Sequence, residues 1–257
     1  MGRTPLHWAA STGDASVVHE LLRAGARADV LDKDKRTPLY EACRGNFTLC
    51  AERMLGFGAD INVAGLFGYR PIHAAATFGS AEILSLLLLH NVDIEGDNNN
   101  VRVTLLHITV YYNNVKGCRY LLDLGANIEH VGRDGDTPLF TAVHRNSHES
   151  LQLLLSRQPN HFRRSSNDNT LLHRAALNGD QRTLEILAAA KLKGLNIDAK
   201  DNKSINARQH FAARLGTSLE HKDALDKLIT SLNGRKGNLE IETEDEDLDG
   251  DVFHDAP

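Results

Sequence analysis

Apolar residues recur along this chain in short stripes with helical spacing. In the first stripe, Val17, Val18, Leu21 and Leu22 follow one another at intervals of one, three and one residues. They therefore share one face of a helix, which we predict from about 15 to 24. Later stripes are Ile83, Leu84, Leu87 and Leu88, then Cys118, Leu121 and Leu122, and then Leu151, Leu154 and Leu155. A helix with one apolar face needs neighbours to cover it, so the pattern predicts packed helices.

A four-residue phrase precedes these stripes and returns roughly every 33 residues. Its threonine can cap a helix and its proline suits the first helical position, so a short helix is expected from Pro5 to about Ser11. We count seven units, starting near 1, 33, 66, 100, 133, 166 and 203. The copies are Thr4-Pro5-Leu6-His7, Thr37-Pro38-Leu39-Tyr40, Arg70-Pro71-Ile72-His73, Thr104-Leu105-Leu106-His107, Thr137-Pro138-Leu139-Phe140, Thr170-Leu171-Leu172-His173 and the degraded Ala207-Arg208-Gln209-His210.

Each unit also has two predicted helix stops. Nine residues after the first residue of the phrase stands Gly or Asn, which tolerates the left-handed conformation that ends a helix. These positions are Gly13, Asn46, Gly79, Asn113, Asn146, Gly179 and Gly216. The second stops are Gly25, Gly58, Asn91 and Gly125, while in the fifth unit Pro159 after Gln158 is expected to end the helix sterically.

Pairs of small residues follow five and six positions after the start of each phrase. They let helices of adjacent units approach closely, which predicts a stack of units with one continuous core. The pairs are Ala9-Ala10, Ala42-Cys43, Ala75-Ala76, Ala142-Val143, Ala175-Ala176 and Ala212-Ala213, with Thr109-Val110 in the fourth unit.

The phrase, the stops and the period together resemble the ankyrin repeat family, whose signature is T-P-L-H-x-A over about 33 residues. The resemblance implies an all-α solenoid of stacked helix-turn-helix units joined by β-hairpin-like loops, over residues 1–233. It also implies that the phrase histidines hydrogen-bond backbone between neighbouring repeats. These are His7, His73, His107, His173 and His210.

Some units depart from the pattern. Arg70 stands where threonine is usual, which should weaken a cap. The sixth unit is stretched, with 37 residues from Thr170 to Ala207, so we expect a longer second helix or a larger loop near 191–206. The first unit starts three residues before its anchor, which suggests a truncated gene product or partial fraying of that unit.

The net charge of −5 is unevenly distributed. Residues 238–257 carry nine Asp/Glu and no Lys/Arg, so we predict that 234–257 is a disordered acidic tail, and the remainder is mildly basic. That excess gives no basis for nucleic-acid binding. The sequence shows neither a signal peptide nor an apolar membrane span. We therefore expect a soluble, cytoplasmic monomer, with nuclear residence left open.

Catalytic and metal chemistry find little support in the sequence. The phrase histidines lie one per unit, too far apart to share a metal. Residues 245–250 match the first half of a calcium loop, yet Ala256 stands where glutamate is needed. Cys43, Cys50 and Cys118 fall on apolar positions and are expected to be buried free thiols. We therefore expect no enzyme activity, no metal and no cofactor, and small-molecule ligands are not anticipated.

The resemblance implies that partners contact the loop tips and the exposed positions of each first helix. Aromatic and apolar residues occupy those positions in units three and four, and charged ones flank them. We expect a non-enzymatic protein-interaction module, or alternatively a substrate adaptor or regulatory subunit with an autoinhibitory acidic tail. Trp8 is expected to be half-buried. The candidate partner-binding residues are Leu66, Phe67, Tyr69, Phe78, Tyr111, Tyr112, Arg133, His144 and Arg145.

Overall fold

The computed structural model describes residues 2–95, 102–132, 135–192, 194–214 and 217–233. Within these ranges the chain forms fourteen α-helices and no β-strand, as the all-α prediction requires. The first helices of the units pack on one another along the stack, and so do the second helices. The first-helix layer is α1 (Pro5–Thr12), α3 (Pro38–Arg44), α5 (Pro71–Phe78), α7 (Leu105–Tyr111), α9 (Pro138–Arg145), α11 (Leu171–Asn178) and α13 (Ala207–Ala212). The second-helix layer is α2 (Ala15–Arg23), α4 (Thr48–Gly56), α6 (Ala81–Leu89), α8 (Val115–Asp123), α10 (His148–Ser156), α12 (Gln181–Ala189) and α14 (Leu219–Asn233).

In the first six units, the first helices begin at the predicted positions. In α1, Thr4 Oγ1 accepts from the backbone N–H of His7 at 3.4 Å, and His7 Nδ1 accepts from the backbone N–H of Thr4 at 3.1 Å. Arg70 provides no side-chain cap, although its own N–H still donates to His73 Nδ1 at 2.9 Å. The expected weakening of the cap at Arg70 is confirmed.

The phrase histidines connect neighbouring repeats. Nε2 lies 2.9 Å from the carbonyl oxygen of Arg36 for His7 and 3.1 Å from that of Asp136 for His107. His173 reaches the carbonyl of Ile205 at 3.0 Å. Because a carbonyl oxygen only accepts, Nε2 carries the proton and donates, which leaves Nδ1 as the acceptor at the helix start. The predicted structural role is confirmed for these three.

Two of the predicted helix stops do not adopt the left-handed conformation. Gly13, Asn46 and Asn113 have φ of 80°, 58° and 53°, as predicted. Gly79 and Gly179 instead have φ of −81° and −61°. The reason for glycine there is space: a Cβ on Gly79 would lie 2.5 Å from the carbonyl oxygen of Ala75 and 2.6 Å from Ile83 Cγ2, and one on Gly179 would meet Ala175 in the same way.

Replacing Gly79 with alanine should therefore destabilise the protein, by about 2 kcal/mol, because backbone and a core side chain must move to admit the methyl group. Gly56 is the matched control. It ends α4, and a Cβ there would meet nothing within 4 Å. Gly56→Ala should be neutral or stabilising by up to about 1 kcal/mol. Urea unfolding followed by circular dichroism compares the two, and equal midpoints would contradict the steric explanation.

The fifth unit ends its second helix differently from the prediction. Gln158 itself takes the left-handed conformation with φ 55°, like Gly25, Gly58 and Gly125 at the equivalent stops. Pro159 follows, but the turn is the same as elsewhere in the stack. Here the repeat geometry imposes a conformation that glutamine alone would rarely adopt.

Asparagines at the first helix stop also join adjacent units, a role that the sequence pattern did not reveal. Asn46 Oδ1 accepts from the backbone N–H of Ser80 at 2.7 Å, and Asn146 Oδ1 accepts from that of Asp180 at 2.8 Å. Asn113 Oδ1 accepts from Ser150 N–H at 3.1 Å. Asparagine is thus favoured over glycine where the neighbouring second helix presents an N–H that needs an acceptor.

The extra residues of the sixth unit form a loop. Helix α12 has nine residues, the same length as α10, so the alternative of a longer second helix is wrong. The connection packs Leu192, Leu195 and Ile197 into the core and closes with a bridge between Lys200 and Asn206.

The seventh unit starts one residue earlier than predicted. Asn206 Oδ1 accepts from Gln209 N–H at 2.9 Å, and Gln209 Oε1 accepts from Asn206 N–H at 3.0 Å, which is the bond pair that Thr4 and His7 form in α1. His210 is therefore one residue beyond the phrase position and bonds to Asp201 instead, at 2.8 Å. The register shift also removes the predicted small pair, because Ala212 and Ala213 are exposed.

The three cysteines are buried and free, as predicted. Burial raises the pKa of the Cys118 thiol to about 12 and raises that of Cys43 further. Since the thiolate is the reactive form, neither should react with a disulfide reagent at pH 8 in the folded protein. All three should react after unfolding in guanidinium. Stoichiometric labelling of native Cys43 or Cys118, mapped by mass spectrometry, would contradict this.

Candidate protein-binding groove

Tight loops connect successive units beside the first-helix layer. In five of them, the backbone N–H of one residue donates to the carbonyl four residues later, as in the predicted β-hairpin-like loops, and the fourth residue has positive φ. The donor and acceptor pairs are Asp32 and Arg36, Gly65 and Tyr69, Gly132 and Asp136, Ser165 and Asn169, and Asp201 and Ile205, at 2.8–3.0 Å. The positive-φ residues are Lys35, Gly68, Gly135, Asp168 and Ser204.

The loop of the third unit has an unusual tip. Residues Leu66–Gly68 form a single 3₁₀ turn in which Phe67 has φ 57° and ψ 21°. A bulky residue rarely adopts this left-handed conformation, and here it holds a side chain that is 85% exposed. Leu66 and Tyr69 beside it are 51% and 37% exposed. The tip therefore presents an apolar surface to solvent.

Three rings form an aromatic cluster at the ends of α5 and α7, which we define as Phe78, Tyr111 and Tyr112. The ring centroids of Phe78 and Tyr112 are 5.9 Å apart, and those of Tyr111 and Tyr112 are 5.0 Å apart. They remain 56%, 41% and 50% exposed, so much of each ring faces solvent. Aromatic pairs at this separation support each other and leave a preformed apolar surface.

The fifth unit places a cation on this cluster. Arg145 Cζ lies 4.2 Å from the ring centroid of Tyr111, which is a cation–π contact. His144, its neighbour on α9, is exposed. Arg133, the other predicted basic residue, lies outside the described residues.

The aromatic cluster lies between two grooves. The larger, of about 850 Å³, runs from Tyr69, Tyr111 and Tyr112 to a polar wall that includes Asp136 and Arg174. These two form an ion pair with N–O distances of 2.6 and 2.8 Å. The larger groove thus offers one aromatic and one hydrogen-bonding wall, the combination found at many recognition sites.

The smaller groove, of about 470 Å³, faces the second unit. On one side are Leu66, Phe67, Tyr69, Phe78 and Tyr112, and on the other are Lys35, Arg36 and Arg44 with Asp34 and Tyr40. We call these three cations the basic wall. The aromatic cluster therefore has positive charge on both sides, from Arg44 in the second unit and Arg145 in the fifth.

A buried carboxylate organises the basic wall. The Glu41 side chain is fully buried, and its oxygens lie 3.0 Å from Arg3 Nη2, 3.4 Å from Arg36 Nη1 and 2.8 Å from Arg44 Nη2. Asp32 adds a second partner for Arg3 at 3.5 Å. The three arginine side chains are 21–42% exposed, so they are held in place while still reaching solvent.

Trp8 differs from the prediction. It is 58% exposed, with Arg3 Cζ 5.3 Å from its ring centroid. Its position, four after the start of the phrase, is occupied by buried Glu41 and Ala74 in the next units, where a preceding first helix covers it. In the described structure no such helix lies on that side of α1, so the ring faces solvent.

The described residues contain no group of three or more His, Cys, Asp or Glu side chains arranged to hold a metal ion. Among them, no helix combines the length and apolarity needed to cross a bilayer. The half calcium motif lies outside the described residues.

The period, the two helix layers and the inter-repeat histidines define a stacked helical repeat protein. The family model for ankyrin repeats matches three times, over residues 1–65, 45–132 and 106–201. The chain therefore belongs to the ankyrin repeat family, as the sequence pattern predicted.

Similar proteins include repeat proteins of known structure. The ankyrin repeat domain of human ASB11 aligns with a TM-score of 0.73 and 25% identity, covering 87% of this chain and 96% of that one. The ankyrin repeat domain of Bcl-3 aligns with a TM-score of 0.68 and 26% identity, covering 89% and 99%.

Among curated relatives, the nuclear factor NF-kappa-B p105 subunit of Gallus gallus is 33% identical over 148 residues, 56% of this chain and 15% of that protein. The human SH3 and multiple ankyrin repeat domains protein 2 is 33% identical over 143 residues, 55% of this chain and 8% of that protein. The chain thus spans less than a fifth of these relatives. Ankyrin repeats generally mediate protein–protein interaction and are typically not enzymes.

Proposed function

We propose that this protein is a non-enzymatic interaction module that binds a partner protein across the aromatic cluster and the two grooves beside it. The observation that carries the proposal is the exposure of three rings, joined through contacts with Tyr112, between two sources of positive charge. Apolar aromatic centres with polar rims are typical of the energetically dominant part of protein interfaces. Exposed contiguous apolar surface is uncommon without such a use.

The proposed interface uses residues from the third, fourth and fifth units. Phe67, Leu66 and Tyr69 would contact the partner at the loop tip, and the aromatic cluster would form the desolvated centre. Arg145 and His144 would contribute a polar rim on the fifth unit. Because the rings are already positioned by their own contacts, binding should need little backbone change in the repeats.

The test is capture of partners from a cell lysate by the intact chain and by a Phe78→Ala/Tyr111→Ala/Tyr112→Ala variant. All three side chains are about half exposed, so the variant should retain the fold, which circular dichroism and thermal unfolding check. The affinity of a purified captured protein should then be measured for the intact chain and for the variant. We expect its affinity to fall by at least about 30-fold in the variant, as loss of central aromatic contacts costs about 2 kcal/mol or more.

A matched control removes three exposed apolar side chains from the second-helix layer. Phe57, Leu89 and Leu124, at the ends of α4, α6 and α8, are 43%, 79% and 50% exposed. The Phe57→Ala/Leu89→Ala/Leu124→Ala variant should bind the same protein as the parent does. Equal loss in both variants, or retention by both, would contradict a site at the aromatic cluster.

The same control variant tests the alternative role as an adaptor. An adaptor must hold two partners at once, and the exposed side chains at the ends of α4, α6 and α8 provide a second apolar surface away from the grooves. Under this alternative, the control variant should lose one captured protein while keeping the one bound at the aromatic cluster. A variant that loses neither protein removes the support for an adaptor.

A further inference from the structure

The basic wall has more positive charge than its own carboxylates neutralise. Lys35, Arg36 and Arg44 line the smaller groove, while the buried Glu41 serves three arginines at once, including Arg3. Asp34 is the acidic residue on this groove. Together with Arg145 on the far side of the aromatic cluster, this arrangement suits an occupant with an apolar centre and acidic flanks.

The chain itself carries a segment with that composition. Residues 238–257 contain nine Asp/Glu and no Lys/Arg, with Phe253 as their single Phe, Tyr or Trp. Val252 precedes it, and Asp251 and Asp255 flank the pair closely. Phe253 and Val252 would supply apolar surface that complements the aromatic cluster. The carboxylates on either side would complement the cations that flank the cluster.

The segment is long enough to reach the aromatic cluster. Helix α14 ends at Asn233, and Phe253 lies 20 residues further along the chain. Twenty residues span at most about 66 Å when extended. Packed helices are about 10 Å apart, so the three to four units between α13 and the aromatic cluster amount to roughly 40 Å. The extended segment is therefore longer than the distance to the aromatic cluster, whereas the distance to α1 is close to the full length of the segment.

We propose that residues 251–255 occupy the grooves of the same chain, with Phe253 packed against the aromatic cluster. A chain arriving from the seventh unit passes the fifth unit first. The acidic residues before Phe253 therefore run past Arg145, and Asp255 lies toward Arg44. The inference rests on the aromatic surface of the proposed function and adds that this surface is occupied by the chain's own segment until a partner displaces it.

The probe is a fluorescent peptide with the sequence of residues 238–257, added to full-length chains. In the parent chain, the tethered segment competes with the peptide at an effective concentration of about 1 mM. For a peptide that binds with a Kd of about 100 µM, the competition weakens apparent binding about tenfold. A full-length Phe253→Ala chain has lost the competing aromatic side chain, so it should bind the peptide about tenfold more tightly than the parent does.

Further variants test whether Phe253 is the competing residue and whether the peptide binds at the aromatic cluster. Leu248→Ala removes another apolar residue of the same segment and should leave peptide binding as in the parent. Adding Phe78→Ala/Tyr112→Ala to the Phe253→Ala chain should abolish binding, and Arg44→Ala should weaken it more at low salt than at high salt. Thermal unfolding checks that each variant is folded.

Equal affinity of the peptide for the parent and for Phe253→Ala would overturn the proposal, as would no binding to either. Binding that survives loss of Phe78 and Tyr112 would also overturn it, because the segment would then bind elsewhere. The experiment uses no external partner. If an external partner binds at the aromatic cluster but the peptide does not bind, only this inference fails. If the peptide binds there but no external partner does, only the external partner of the proposed function is lost.

Discussion

Replacing Glu41 with alanine should lower the free energy of unfolding by about 3 kcal/mol. The side chain is fully buried on α3 and its two oxygens accept from Arg3, Arg36 and Arg44. Removing it leaves three guanidinium groups facing one another without their shared carboxylate. Partial exposure of the arginines to water limits the cost, which is why the expected value lies at the lower end for a broken buried ion pair.

An exposed ion pair gives the matched control for Glu41. Glu20 lies 3.7 Å from Arg23, and the two side chains are 69% and 65% exposed. Glu20→Ala should change stability by less than about 0.5 kcal/mol. Urea unfolding of both variants, with hydrogen exchange to follow the first three units, provides the measurement. If the two midpoints fall by the same amount, Glu41 does not organise the basic wall.

Acidification from pH 7 to pH 5 should destabilise the protein through His107. Burial lowers the pKa of this imidazole to about 4, although its hydrogen bond to the Asp136 carbonyl opposes the shift. The unfolded chain therefore binds the proton more readily than the folded chain. Stability is complete above the unfolded pKa of about 6.5 and falls as the pH drops toward 4, by on the order of 3 kcal/mol in all.

The chain itself suggests the control for His107. At the same helix position in the seventh unit, Gln209 performs the capping exchange with Asn206. A His107→Gln variant cannot titrate and should lose less stability between pH 7 and pH 5 than the parent does. His173, whose pKa burial also lowers, titrates in both chains and cancels in the comparison. Identical pH dependence in parent and variant would contradict the assignment to His107.

A His107 ring that stays neutral should also be visible by NMR. Its Cε1–H resonance should not shift between pH 7.5 and 5.5, while the same resonance in the chain unfolded in urea should shift, because the pKa of an unperturbed imidazole is about 6.5. A His107 resonance that titrates near pH 6.5 would show that burial does not control its pKa.

Features that depend on a few neighbouring residues could be predicted from the sequence. A threonine hydroxyl reaches the N–H three residues on, so Thr4 and Thr170 cap their helices whatever the rest of the stack does. The period of about 33 residues and the small residues that let helices approach gave the two-layer stack. The placement of aromatic residues at the ends of α5 and α7 was also predictable, because it follows from counting within a repeat.

Other features depend on which atoms a neighbouring unit brings near, and these were decided by the tertiary structure. Gly79 looks like a left-handed stop, yet its backbone is extended, and glycine is needed there because a Cβ would collide with Ala75 and Ile83. The seventh unit starts at Asn206 because a complete capping exchange forms there, although a histidine one residue later fits the phrase. Trp8 and Glu41 hold equivalent positions, but Glu41 is buried among arginines whereas Trp8 is 58% exposed.

The sequence by itself determined the repeat, its helices and the family, because capping, turn conformation and apolar spacing are local and recur in every unit. Only the tertiary structure decided the site. The contact of Phe78 with Tyr112, the contact of Arg145 with Tyr111 and the pairing of Arg3 with Glu41 each join residues from different units. Such contacts depend on how one unit is oriented on the next, and a pattern read within one unit does not contain that orientation.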